Sequence, residues 1–321
     1  MRIALSVAGA ALALGTTAVH AAQPAYPDKP IRLIIGSAPG SGPDIISRAL
    51  SERLYKSWNQ RVVVDSRPGA AGVISADLTL QAAPDGYTWM MLTSQLLVAT
   101  SVFHDVKFDL GKDFASVALI GSTPFVLSVN PQLPVKSVSE LIDLAKKQPG
   151  KLRYGSAGTG ASEHLCGLMF TQLTGTKMLH VPYKGVAQAL TDAAANEVQL
   201  TYGVVSASLA FINGGRVRAI GVTSKKRSSL LPDVPSISET VPGYDLFGWY
   251  SIVAPKGTPA PILEKVSSEI VKAVKEPAFG EHLKALGIEI IGAPRQELDK
   301  FRAEQTARVK GLVKTAGSDL K

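Results

Sequence analysis

Two short stretches have the composition to hold a charged ligand: Ser37-Ala38-Pro39-Gly40-Ser41-Gly42 and Ser156-Ala157-Gly158-Thr159-Gly160. Neither contains a charged side chain. Glycine lets a ligand approach the backbone closely. Each stretch follows a β-type run and precedes a helical pattern. The first N–H groups of a helix lack intrahelical partners, and the helix dipole is positive at that end. Together these features make a site for an anion without cationic side chains. Either stretch alone also reads as an ordinary Gly/Ser turn. One in each half of the chain favours two walls of a shared cleft. The second stretch passes into helix near Ala161, whose N–H is expected to face that cleft.

Other chemistry finds little support. His104, His164, His180 and His282 form no H-E-x-x-H or other paired spacing, so zinc is not expected. No G-x-S-x-G elbow and no G-x-x-x-x-G-K-[ST] phosphate loop occur. Gly40-Ser-Gly42 lacks the third glycine of a dinucleotide fingerprint. The single cysteine, Cys166, cannot form an internal disulfide and reads as a buried apolar residue. No cofactor is expected.

The elements around these loops follow from periodicity. Hydrophobic residues are 45% of the 321 and charged residues 19%, a globular composition that excludes wholesale disorder. This length suggests two domains, each with its own core. Ile31–Ile35, Val62–Val64 and Tyr87–Thr93 read as strands. Ile46, Leu50 and Leu54 recur every four residues and predict a helix, and Ile74–Ala82 predicts another. The pattern restarts with a strand at Phe125–Val129. Ser137 and Glu140 form a capping-box signature for a helix to about Gln148. Strands at Leu152–Gly155, His180–Pro182, Val198–Tyr202 and Arg216–Val222 alternate with helices to Leu173, at Val186–Ala195 and at Ser206–Ile212. Gly248–Ala254 is extended. Pro259 opens a helix carrying Ile262, Val266, Ile270 and Val274, and a last helix spans Gln296–Thr315. The alternation predicts α/β layers with mainly parallel sheets.

The chain starts with Arg2 and an uncharged run from Ile3 to Val19, ending at Val19-His20-Ala21. This is the pattern of a secretory signal peptide cut after Ala21. The competing reading is a membrane anchor, for which the run is short and rich in small residues. The formal net charge is +8. Removing Arg2 leaves 33 basic against 26 acidic residues, or +7. The basic residues are scattered, with Lys225-Lys226-Arg227 the densest run. A mild positive field of this kind suits small anions, and no nucleic acid is expected as a partner.

A longer set of motifs then falls into a familiar order: Tyr26-Pro27, Pro30-Ile31, Ala38-Pro39-Gly40, Asp44, Arg67-Pro68-Gly69-Ala70, Pro84-Asp85-Gly86-Tyr87, Pro149-Gly150-Lys151, Tyr154, Pro182-Tyr183-Lys184-Gly185, Pro232-Asp-Val-Pro235, Glu239, Ala254-Pro255 and Gly257-Thr258-Pro259. In these the chain resembles the Bug family, the extracytoplasmic receptors of tripartite tricarboxylate transporters, over essentially all of its length beyond the signal peptide. The resemblance implies an α/β, two-domain, periplasmic-binding-protein type II (Venus flytrap) fold. Its domains would be residues 22–123 with 248–321, and residues 124–247, joined near Ser122–Phe125 and Tyr244–Tyr250. It implies a periplasmic monomer that binds a small carboxylate and partners a two-component membrane permease, a permease that some members lack. Carried over by motif, ligand contacts fall on Ser37, Ala38, Pro39, Gly40, Ser41, Gly42 and Thr93. In the second domain they fall on Ser156, Gly158, Thr159, Gly160, Ala161, Ser162, Tyr183, Lys184, Gly203 and Ser206.

The chain departs from the family pattern at Ser41, where a second Gly is usual, and at Pro43, which has no N–H to donate. Asp44 reads either as a dipole-favouring first-turn residue or as a ligand contact. Lys184 reads as a partner for a carboxylate or as an exposed loop residue. Trp249 and Tyr250 read as hinge packing in preference to ligand stacking. Two other functions stay open: an exported hydrolase or lyase acting on a carboxylate, and a receptor feeding a sensor kinase.

Overall fold

The computed structural model describes residues 26–102 and 105–316. The signal-peptide segment and His104 lie outside the described residues. Ten strands and ten helices follow in the order β1 (Ile31–Ile35), α1 (Gly42–Trp58), β2 (Val62–Ser66), α2 (Val73–Leu80), β3 (Thr88–Thr93), α3 (Ser94–Val102), β4 (Phe114–Val129), α4 (Val138–Lys147), β5 (Arg153–Ser156), α5 (Ser162–Thr174), β6 (Leu179–Pro182), α6 (Val186–Ala194), β7 (Leu200–Val204), α7 (Val205–Asn213), β8 (Arg218–Val222), β9 (Phe247–Pro255), α8 (Ala260–Val274), α9 (Pro277–Ala285), β10 (Glu289–Pro294) and α10 (Arg295–Ala316).

The strands are not mainly parallel. β1 pairs in parallel with β2 and β3, and β5 with β6 and β7. These are the strands linked by crossover helices, as parallel pairing requires. Between the two parallel groups lie β4 and β9, paired antiparallel over nearly the whole length of β9. All five pairings that involve β4 or β9 are antiparallel. The strand order is β2-β1-β3-β9-β4-β7-β5-β6, with β8 and β10 also on β4.

β4 is longer than its sequence suggests, because Gly121-Ser-Thr-Pro124 reads as a break and is not one. The first part of β4 pairs with β9 up to Pro124 opposite Phe247. Pairing with β7 begins at Phe125 opposite Val204. Pro124 therefore sits where the ladder changes partner, a place where a missing N–H is tolerated. Thr123 lies opposite Gly248, so the two passages of the chain between the halves run side by side as one ribbon.

Three further elements were not expected: α3, α9 and β10. β7 begins two residues later than predicted. The Ser137 hydroxyl accepts from the Glu140 N–H at 3.2 Å as predicted, but the Glu140 carboxylate accepts from Lys136 N–H instead of reciprocating to Ser137.

Ile46, Leu50 and Leu54 are fully buried and pack with β1 and with Val266, Ile270 and Val274 of α8. The largest apolar cluster is shared by the two halves: Leu92 and Leu97 belong to it together with Leu165, Phe170 and Tyr244. The two predicted domains thus do not have fully separate cores. α10 also ties both halves, through Arg308 to Asp245 at 2.9 Å and Gln172 Nε2 to the Leu312 carbonyl at 3.3 Å. Cys166 is buried and free, and its carbonyl accepts from the Tyr244 hydroxyl at 3.0 Å.

Candidate functional site

The first loop turns on Gly40, whose φ of +79° is costly for any residue with a Cβ. Ser41 caps α1 in an extended conformation without using its side chain. The Ser41 N–H donates to the Ala38 carbonyl at 3.2 Å, and the Gly40 N–H donates to the Asp44 carboxylate at 2.9 Å. Asp44 is buried and also accepts from Arg48 Nε at 2.9 Å. That arginine bond is the main reason its carboxyl titrates below the usual range. Asp44 is thus occupied in holding the loop closed.

The second loop repeats this frame in different residues. Gly160 has φ +76°, and Ala161 occupies the cap with φ −73° and ψ 159°. The Ala161 N–H donates to the Gly158 carbonyl at 3.1 Å, and the Gly160 N–H donates to His164 Nδ1 at 3.1 Å. His164 therefore plays the part of Asp44. Accepting at Nδ1 puts its proton on Nε2. Ala161 corrects an expectation from the sequence: it precedes the helix, and its N–H is used within the turn. The first unpartnered helical N–H belongs to Ser162.

Below this loop, His164 and His180 stack with ring centroids 3.7 Å apart. His180 Nε2 lies 2.6 Å from Ser156 Oγ. Burial pushes His164 down to about 3, helped by the neighbouring His180. Burial alone pushes His180 down to about 4. Both rings are thus neutral at ordinary pH. The Ser156 hydroxyl also bonds to the Gly158 carbonyl at 3.0 Å and accepts from the Gly158 N–H at 3.1 Å. Ser156 is fully buried and braces the loop.

A cavity of about 460 Å³ lies between the two loops. Its walls include Ser37, Ala38, Ser41 and Pro43 from the first loop and Ala157, Ser162 and Glu163 from the second. Thr93, Ser94 and Gln95 contribute the start of α3, and Val204 lies just before α7. The N-terminal ends of α1, α3, α5 and α7 therefore all reach this cavity. Thr123 and Phe125 of β4 and Gly248 and Tyr250 of β9 form its floor. Among the described residues no Lys, Arg or His lines it, and Glu163 and Tyr250 are its only ionisable side chains. Desolvation raises Glu163 to about 7, opposed only by a bond from its own N–H. Burial, and then the nearby Glu163, push Tyr250 up to about 12. The Ser41 hydroxyl is buried without a partner. At the wall, Ala71 holds a left-handed φ of +53°, and such strain concentrates at functional sites.

Of the residues singled out from sequence, Ser37, Ala38, Ser41, Thr93 and Ser162 line this cavity. Pro39, Gly40, Gly42, Ser156, Gly158, Thr159, Gly160 and Ala161 shape the loops without lining it. Tyr183 and Lys184 lie off it. Lys184 is exposed, while Tyr183 is raised to about 12 by burial and by Asp192. Gly203 is inside β7, where an added Cβ would meet Ser208 Oγ at 2.7 Å. Ser206 is exposed, one residue into α7. Sequence reasoning missed Glu163 and Gln95. Tyr250, read there as hinge packing in preference to ligand stacking, lines the cavity. Trp249 is packed against Phe301, with centroids 5.5 Å apart.

A second cavity of about 490 Å³ lies between α3 and α10 and includes the buried Arg302. Neither glycine-rich loop reaches it. Among the described residues, no group of His, Cys, Asp and Glu is placed to hold a metal ion.

The model of the tripartite tricarboxylate transporter family receptor matches residues 46–318. The chain belongs to this family. Protein BugT of Bordetella pertussis is 32% identical over 322 residues, covering 99% of this chain and 98% of that one. Among solved structures, R. palustris Rpa4515 with adipate is 32% identical with a TM-score of 0.78, covering 91% of this chain and 98% of that one. The periplasmic binding protein BugD is 30% identical with a TM-score of 0.75, covering 91% and 99%. The Bug relationship and the α/β periplasmic-binding fold expected from the motifs are thereby shown. Members of this family are periplasmic solute-binding receptors, and this chain is one of the solute-binding kind. Among the described residues no helix is long and apolar enough to cross a membrane.

Proposed function

We propose that this receptor captures a small organic acid in the cavity between its two glycine-rich loops and hands it to a two-component permease. The observation that carries this reading is the convergence of four helix N-termini on a cavity that, among the described residues, no cationic side chain lines. Backbone N–H groups and helix dipoles then supply the field for an anion. The adipate in the R. palustris relative supports the ligand class. Ser41, Thr93 and Ser162 would add hydroxyls to the amides of Ser37, Ala38 and the first turn of α5.

Residues 22–123 with 248–321 would form one lobe and residues 124–247 the other. They would hinge on the ribbon where Thr123 faces Gly248. Binding would stabilise the closed state that the permease recognises. The Ser156–His180 pair is the one arrangement that favours a hydrolase reading. Its hydroxyl is fully buried and already bonded to Gly158, which supports a bracing role over a nucleophilic one.

The test is a thermal-shift screen of mono-, di- and tricarboxylates, aromatic acids, amino acids and sugars. An acid at 100-fold over its Kd adds about 2.7 kcal/mol of stability and raises Tm by a few degrees. Small-angle scattering of the same complex should show a smaller radius of gyration. Shifts confined to neutral sugars, or turnover of the acid, would overturn the reading. Export after Ala21 is part of the same proposal: protein from a periplasmic fraction should have the intact mass of a chain starting at Ala22. A full-length cytoplasmic species would refute that part.

A further inference from the structure

We propose that Glu163 recognises a positively charged nitrogen on the ligand, so that the favoured ligand carries an ammonium group as well as a carboxylate. This deepens the organic-acid reading and rests on it.

Glu163 is the second residue of α5 and lines the cavity. Among the described residues it is the only formally charged side chain in the wall. Among the described residues no ion pair reaches it, and only its own backbone N–H favours the charged form. A partly buried carboxylate with no counter-charge is an expensive feature in a structure, and such groups are normally paired. The unmet partner is therefore to be sought in the ligand.

The comparison between the two loops sharpens the point. The frames match residue for residue: Gly40 with Gly160, Ser41 with Ala161, and Asp44 with His164, which tie the loops at 2.9 and 3.1 Å. In that alignment Glu163 falls opposite Pro43. The loop frame therefore does not need a carboxylate at this position. Among the described residues the other polar side chains of the wall are hydroxyls, of serines, threonines and Tyr250, and the Gln95 amide, and none of them carries a positive charge.

A dicarboxylate would place its second negative charge in the same cavity as Glu163, and like charges at close range repel. An aminocarboxylate avoids this. Its carboxylate meets the helix N-termini, and its ammonium meets Glu163. The rise of Glu163 to about 7 agrees with a carboxyl that lacks its counter-ion in the unliganded protein.

The experiment compares length-matched pairs by competition and calorimetric titration: succinate with 4-aminobutyrate, glutarate with 5-aminopentanoate, and adipate with 6-aminohexanoate, alongside aspartate and glutamate. At pH 8 the wild-type protein should prefer amino-bearing acids. Glu163→Gln should weaken their binding roughly 10- to 150-fold, the range for a hydrogen bond to a charged group. It should leave the matched diacids unchanged or tighter. A melt of the unliganded variant checks its fold, and the wild-type competition decides the matter even if that melt is altered. A wild-type preference for diacids, or tighter diacid binding at pH 6 that Glu163→Gln abolishes, would overturn this inference alone. It would assign Glu163 the role of a protonated donor. Binding of no acid by either protein would overturn the organic-acid reading itself.

Discussion

Replacing Ser162 with proline should lower affinity for the bound acid roughly 10- to 150-fold and leave the melting temperature of the unliganded protein nearly unchanged. Ser162 is the first residue of α5, so its N–H has no intrahelical partner. Proline is tolerated at that position for the same reason. The residue before a proline must be extended, and Ala161 already is, at φ −73° and ψ 159°. The substitution therefore removes one backbone donor and one hydroxyl from the cavity wall with little strain. A hydrogen bond to a charged group contributes about 1.5–3 kcal/mol, which sets the expected range. Ser162→Ala removes only the hydroxyl and should cost much less. Calorimetric titration of both variants with the acid selected by the thermal-shift screen checks this. Equal losses in the two would assign the contact to the side chain. Unchanged affinity in a folded Ser162→Pro protein would place the anion elsewhere. Ala161→Pro is not an equivalent test, because it deletes the 3.1 Å bond to Gly158 that shapes the loop.

The contrast between Ala161 and Ser162 shows how far the sequence could be read. The two glycine-rich loops were legible because both properties that matter there are local: glycine at a left-handed φ and a helix starting directly afterwards. The shift of one residue at the cap was not. A cap is fixed by backbone angles, and Ala161 lacks the side-chain oxygen that would have marked it. Glu163 was missed, and Tyr250 read as hinge packing, for a different reason. A carboxylate in the first helical turn usually reads as a response to the dipole, and only the opposite loop makes this position a cavity wall. Tyr250 reaches the cavity because β9 runs beside β4, a pairing between residues more than a hundred positions apart. The same non-local pairing hid the first part of β4. Gly121 and Pro124 are punctuation in isolation, and become strand residues only with β9 on one side and β10 or β7 on the other. α3 was hidden because Ser94–Val102 follows β3 without a turn, and mean apolarity carries no helical period there.

Gly167→Val should be strongly destabilising, and it links packing to binding. Gly167 lies inside α5, where glycine costs about 1 kcal/mol relative to alanine. Its presence therefore has a packing reason. A Cβ there would lie 2.2 Å from Cε2 of Tyr154 and 2.5 Å from its Cζ. Real atoms do not approach so closely, so either the ring or the helix must shift. The ring has little freedom. Tyr154 is 2% exposed, with His180 at 5.1 Å and Tyr202 at 6.3 Å between ring centroids. Valine adds two further methyl groups, and its β-branch recovers only part of the helix propensity that glycine lacks. Overpacking of this kind costs about 3 kcal/mol, at the upper end of the usual range. For a chain of this size that is a fall in Tm of roughly 5 °C. Pressure on Tyr154 would pass to His180 and so to Ser156, which braces the loop at 2.6 Å. Ligand affinity should therefore drop as well, although Gly167 itself is outside the cavity wall. Adding Tyr154→Leu should restore part of both losses, because the smaller side chain removes the clash. Thermal melts and titrations of the two single variants and the double variant measure the coupling. Strictly additive losses would mean that the strain is absorbed by α5 and not by the ring. A Tm within about 2 °C of wild type would show that Tyr154 can turn away from the added methyl groups and that the loop does not depend on it.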